Sequence, residues 1–141
     1  MLKNNMVSKK LVEDICYSVI GAYIEVHKEL GPGMLESAYE SCLMHELKIR
    51  GIKAKNQVSL PLQYKGLKLE KGFRIDILVE DLIVVELKAV SQISAVDEAQ
   101  LISYLNLMKS PKGLLINFNV KNIAQNIVSC VSKYYDELPD Q

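Results

Sequence analysis

Asp76, Glu86 and Lys88 interrupt the most aliphatic stretch of the chain, "FRIDILVEDLIVVELKAV", residues 73–90. Two carboxylates and an ammonium are the groups that hold a hard cation and act on a phosphoryl centre. Glu86 and Lys88 lie two apart on an expected strand, so both side chains point to one face. Leu87 points to the other, with Ile83 and Val85. Asp76 is likewise out of step with Ile75, Ile77 and Val79.

Whether these groups meet depends on hairpin register. A two-residue loop at Glu80-Asp81 would pair Asp76 with Val85 and Ile75 with Glu86, which buries polar groups among apolar ones. A three-residue loop, Glu80-Asp81-Leu82, pairs Asp76 with Glu86, Ile75 with Leu87, Ile77 with Val85 and Val79 with Ile83. One face is then aliphatic and the other carries the charges. A one-residue slip flips every side chain, so the hydrophobic pattern favours the three-residue loop. Facing carboxylates repel. They need a shared proton, a cation, or outward splay into water. Mg²⁺ suits such a pair, because it takes few carboxylates and several waters. Lys88 beside it could orient or deprotonate an attacking water, or offset transition-state charge. A solvated, charged sheet face is the alternative that the strands alone leave open.

The elements that must position these groups follow from periodicity. Leu11, Ile15, Val19, Tyr23, Val26 and Leu30 recur at helical spacing, and "GPG" at 31–33 stops that helix. A second helix is expected over 34–50, with Leu35, Ala38, Tyr39, Cys42, Leu43 and Leu47 on its apolar face and Gly51 at its end. "QVSLPLQYKGLKLE" alternates as a strand, with a turn at Lys65-Gly66. Helical spacing returns from Val96 to Met108, and "SPKG" breaks it. "GLLINFNV" reads as a buried strand. "KNIAQNIVSCVSKYY" reads as a last amphipathic helix. Residues 1–8 and 136–141 are expected to be flexible ends. The order α-α-β-β-β-α-β-α gives an α/β (α+β) fold, a central mixed sheet flanked by helices.

A chain of 141 residues suits a single domain, 1–141, and 49% hydrophobic residues can build a core. No apolar run approaches the ~20 residues of a membrane helix. The polar start "MLKNNMVSKK" lacks an apolar export core, so the expected location is cytoplasmic. Cys16, Cys42 and Cys130 then read as buried free thiols. Net charge is zero, which excludes a global pull toward nucleic acid. Between Arg50 and Arg74, however, seven basic residues face one acid, Glu70. Such a segment can attract a polyanion or form a solvated face.

Asp76 followed by Glu86-Leu87-Lys88 resembles the signature of the PD-(D/E)XK nuclease superfamily, with Arg74-Ile75 in place of its usual Pro. "GMLESAY", residues 33–39, matches the G-x-x-E-x-x-Y motif of a family of small proteins within that superfamily. "QLISY", residues 100–104, resembles the Q-x-x-x-Y helix of its RecB-like exonuclease branch. "EVHKELGPG" and "GLLINF" are similar to the small family too, so the resemblance spans about residues 19–119. It implies a restriction-endonuclease-like fold and phosphodiester hydrolysis with Mg²⁺, or Mn²⁺, on DNA. Asp76 and Glu86, helped by the Leu87 carbonyl, would bind the metal. Lys88 would be catalytic, and Glu36 would add a carboxylate directly or through water. Gln100 and Tyr104, four apart on one helical face, would orient the substrate or the lysine. Arg74 and the basic segment would meet the phosphate backbone. His27 matches the family's "VH", where a helix C-terminal His also offsets the dipole. Two features depart from the pattern: Asp97 lies where the family often has a His, and no basic C-terminal strand is recognisable. A catalytically inactive nucleic-acid-binding or protein-interaction module with the same fold, alone or as a homodimer, is the rival reading.

Overall fold

Ser8 starts the first helix. Its hydroxyl accepts from the Leu11 amide at 3.1 Å and caps α1 (Lys9–Leu30). The buried stripe of α1 is Val12, Cys16, Val19, Ala22, Tyr23 and Val26. At its end Gly31 takes a φ of 68°, and its amide donates to the His27 carbonyl at 2.7 Å. α2 (Glu36–Ile49) follows and buries Tyr39, Leu43 and Leu47. The computed structural model describes residues 7–69, 73–123 and 126–141.

The main sheet has the order β1-β4-β5-β6-β7. Its strands are β1 (Ala54–Ser59), β4 (Arg74–Val79), β5 (Ile83–Lys88), β6 (Lys112–Asn117) and β7 (Ile127–Val131). β5 and β6 are parallel, joined through α3 (Ala95–Met108), and the other neighbours are antiparallel. β2 (Leu62–Tyr64) and β3 (Leu67–Leu69) form a separate two-stranded sheet. Two apolar layers sandwich the main sheet. α1 and α2 pack on Ile77, Val79, Ile83, Val85, Leu87 and Ile116. On the opposite side Leu101, Tyr104 and Leu105 of α3 pack on Leu78, Val84 and Leu115. The α/β fold expected from the sequence is the fold observed.

Its element order needs two corrections. The stretch expected as one alternating strand leaves the main sheet at Leu60, whose amide donates to Phe73 O at 2.9 Å. Pro61 follows and has no amide to continue the ladder. Residues 62–69 turn back on themselves as β2 and β3. The expected C-terminal helix is instead β7 and a single turn, α4 (Lys133–Asp136). Its apolar spacing fits either period. β6 has a free edge that a strand satisfies and a helix would not, and β-branched Ile127, Val128 and Val131 suit that role. Val128 and Cys130 pack under α3, while Ile127 packs on the α1 side.

Three smaller expectations meet the structure here. Cys16 is buried, but Cys42 is exposed and Cys130 half-buried, which corrects the reading of three buried thiols. At the C-terminal end, the carbonyls of Pro139 and Asp140 accept from the first-turn amides of Lys9 and Lys10 at 2.8 and 3.1 Å. They satisfy donors that a helix start leaves free. Among the described residues no helix is long and apolar enough to cross a membrane.

Candidate active site

The β4–β5 hairpin adopts the three-residue loop. Val79 pairs with Ile83, Leu78 with Val84 and Ile77 with Val85, while Glu80 and Asp81 take left-handed φ values of 54° and 53°. This ladder ends at Ile77. One step further, side chains replace it. The Asp76 amide donates to Glu86 Oε2 at 2.8 Å, and the Leu87 amide donates to Asp76 Oδ2 at 2.8 Å. On the other flank of β4, Asn56 pairs with Ile77 and Val58 with Ile75. Between them Gln57, facing Asp76, has a φ of 52°. β4 is therefore disturbed on both sides at Asp76. Ile75 consequently packs in the α3-side layer rather than opposite Leu87 in the other. That corrects the expectation of one wholly aliphatic face.

The break places two carboxylates side by side. Glu86 is 6% exposed and Asp76 is half-buried. Burial pushes the Glu86 carboxyl up to about 8, and repulsion from Asp76 adds to it. Burial also raises Asp76, against the Leu87 hydrogen bond, and the charges of Glu40 and Glu36 act in the same upward direction. Each carboxylate has one oxygen on a backbone amide. Asp76 Oδ1 and Glu86 Oε1 have no hydrogen-bond partner among the described residues. Lys88 is the near cation and lowers both acids. Its Nζ lies 3.6 Å from Asp97 Oδ1. Asp97 is fixed in turn, because it forms a capping box with Ser94 at the start of α3. The Ser94 amide bond holds its carboxyl below the usual range.

The remaining expected residues differ in how they relate to this pair. Glu36 is exposed in the first turn of α2 and reaches Asp76 and Glu86 through its field. Glu40, one turn on, acts on Asp76 more strongly and is held by Asn56 Nδ2 at 3.0 Å and Gln57 Nε2 at 2.8 Å. Sequence reasoning missed Glu40. Its i,i+4 spacing from Glu36 was the available signal. Tyr104 is 6% exposed, and burial, then Glu86 and Asp76, raises its phenol. Gln100 is exposed on the same helix. Arg74 is exposed at the start of β4, opposite Ser59, and makes no ion pair among the described residues.

Other motif residues serve the scaffold. His27 is buried, and its Nε2 donates to Val120 O at 2.6 Å. Tyr39 is fully buried. Its hydroxyl donates to Gly31 O at 2.6 Å and accepts from the Met34 amide at 3.0 Å, while its ring stacks on Phe118 at 4.2 Å. The Phe118 amide donates to the Lys88 carbonyl at 2.9 Å, which ties this aromatic core to the end of β5. In the basic segment, Arg50 pairs with Glu46 and Lys55 with Asp81, each at about 2.8–2.9 Å. Lys65 and Lys68 lie on the β2–β3 hairpin, and Lys71 and Glu70 lie outside the described residues.

Among the described residues no three His, Cys, Asp or Glu side chains converge on one metal position. The acidic centre is a pair. Two hard carboxylates, each with an open oxygen and each short of positive charge, still match what Mg²⁺ accepts, since it keeps most of its waters.

A mixed five-stranded sheet flanked by helices, with acids at the split end of its central hairpin, has the restriction-endonuclease-like architecture. A family model described as the PD-(D/E)XK nuclease superfamily matches residues 13–130, and the chain belongs to that superfamily. Nucleases of this superfamily generally use divalent metal ions and act on nucleic acid. No curated protein and no solved structure matches the chain.

Proposed function

We propose that this protein is a Mg²⁺-dependent nuclease of the small G-x-x-E-x-x-Y branch, hydrolysing phosphodiester bonds in DNA. The observation that carries this reading is the split hairpin. Asp76 and Glu86 meet where the ladder ends, each with an open oxygen, and Lys88 stands on the Glu86 side of the strand.

Asp76, Glu86 and the Leu87 carbonyl would hold the cation, and Mn²⁺ could replace Mg²⁺. Bound there, a divalent ion supplies Lewis acidity to the phosphoryl oxygens. Glu86 must give up its proton to bind, so cation uptake releases protons. Lys88 orients the attacking water and offsets charge on the phosphoryl oxygens. Asp97 positions Lys88. Glu36 reaches the centre through water, and Glu40 deepens its negative field. Gln100 and Tyr104 position the strand. Arg74, Lys65 and Lys68 take backbone phosphates, which gives salt-sensitive and largely sequence-independent binding.

The test is incubation of pure protein with linear, nicked and single-stranded DNA, and with RNA, in Mg²⁺ or Mn²⁺, beside Asp76→Ala and Lys88→Ala. Cleavage by wild type and by neither variant is the expected result. Cleavage that persists in both variants places the chemistry elsewhere. Salt-dependent binding without cleavage identifies a nucleic-acid-binding module on the same fold.

A further inference from the structure

A cavity of about 510 Å³ opens between Leu62 and Phe73 on one side and α3 on the other. Leu62, Phe73 and Leu107 form its apolar surface, and Gln100, Ser103 and Asn106 bring amide and hydroxyl groups to its wall. Tyr104 connects this cavity with the acidic pair. It lines the cavity, and its hydroxyl lies in the field of Glu86 and Asp76. None of the described lining residues is charged. The hairpin that carries Leu62 also carries two lysines outside the described lining. Lys68 is opposite Gln63 on the hairpin, and Lys65 is at its turn.

A phosphate would need cations, and the described lining offers none. A peptide side chain would not explain its position against the acids. A nucleobase has the required chemistry: apolar faces for Leu62, Phe73 and Leu107, and a polar edge for two amides and a hydroxyl. Volumes of a few hundred Å³ hold ligands of this size. A base stacked in a duplex can enter only by being extruded at an unstacking cost, which a single or frayed strand does not pay.

We infer that this cavity receives one unstacked base next to the bond being cut, so that the substrate is a single-stranded or frayed nucleic-acid segment. The inference rests on the proposed nuclease function and adds its substrate class. Lys65 and Lys68, on the hairpin that carries Leu62, hold the backbone, the cavity holds the base, and the scissile phosphate is thereby set against Asp76 and Glu86.

The experiment uses the whole chain in Mg²⁺ with single-stranded oligodeoxynucleotides. Each carries one abasic spacer, moved stepwise along the strand, and a blunt duplex and a duplex with frayed ends run beside them. The spacer should slow cleavage at one fixed position beside the cut bond, about 10-fold, the scale of one lost base contact. The frayed duplex should be cut near its ends and the blunt duplex more slowly. Leu107→Trp fills the cavity from an exposed position on α3. In that variant, base removal at the sensitive position should cost nothing further. Asn106→Trp answers the same question if Leu107→Trp melts abnormally. Equal cleavage at every spacer position overturns the inference while leaving the nuclease reading intact. So does a full spacer penalty in a folded filling variant. No cleavage of any substrate overturns the nuclease reading and this inference with it.

Discussion

The Glu86 carboxylate accepts a hydrogen bond from the Asp76 backbone amide at 2.8 Å, and the Asp76 carboxylate accepts one from the Leu87 amide at the same length. Two acidic side chains thus replace the sheet's own hydrogen bonds where β4 and β5 part. The amides are satisfied. The acids are fixed in place, yet each keeps an oxygen open to a ligand. The bonds that close the hairpin here also hold the candidate site, and this makes the pair's titration measurable as stability.

Glu86, at about 8, stands above its ordinary value of 4.5. Between those values the folded chain keeps a proton that the unfolded chain releases. In chelator, stability should be full below about pH 4.5, fall as pH rises toward about 8, and then level, a loss on the order of 5 kcal/mol. Asp76, also raised, contributes with the same sign. Urea unfolding at several pH values measures this. Glu86→Gln should flatten the curve, and Mg²⁺ should restore stability at the alkaline end.

Lys88 and Asp97 should separate by size of effect. Lys88→Ala should lower kcat by about 100-fold or more, with KM little changed. Asp97→Asn keeps an oxygen for the Ser94 cap but loses the charge beside Lys88. It should lower kcat about 10-fold and leave Tm nearly unaltered. Steady-state kinetics with thermal melts give both numbers, and equal losses in the two variants would contradict a positioning role.

Glu36 and Glu40 should act as field and not as ligands. Glu36→Gln or Glu40→Gln should weaken Mg²⁺ about 3-fold, an effect that shrinks with added salt. The Mg²⁺ midpoint of thermal stabilisation reports it. Loss of all Mg²⁺ response in Glu36→Gln would make Glu36 a direct ligand.

Tyr39 should prove structural. Tyr39→Phe keeps the stack on Phe118 but leaves the Gly31 carbonyl and Met34 amide without the bridging hydroxyl. It should cost about 1–3 kcal/mol in urea unfolding. Its effect on kcat should follow the fraction folded.

Much of this was legible in the residues. The alternation of Ile77, Val79, Ile83 and Val85 admits one register, and that register fixed the neighbours of Asp76 and Glu86. What followed from ladder geometry stopped there. That carboxylates would replace the ladder at Asp76, and send Ile75 to the other layer, depends on tertiary competition for amides that no local pattern records. Glu40 was passed over although it lies four residues from Glu36, because that spacing alone does not tell a site residue from an exposed helical Glu. Asn56 and Gln57, which draw it in, come from β1. β7 was misread for a similar reason. Ile127, Val128 and Val131 fit two periods, and only the open edge of β6 decides between them.

The most direct test of the account is titration of Mn²⁺ into the chelator-treated protein at about pH 8.5, where Glu86 gives up its proton, followed by the electron-spin signal of free Mn²⁺. Wild type and Lys88→Ala should bind saturably, whereas Asp76→Asn and Glu86→Gln should not. Equal binding by wild type and Asp76→Asn, or no saturable binding by wild type, would contradict the assignment of Asp76 and Glu86 as the cation site.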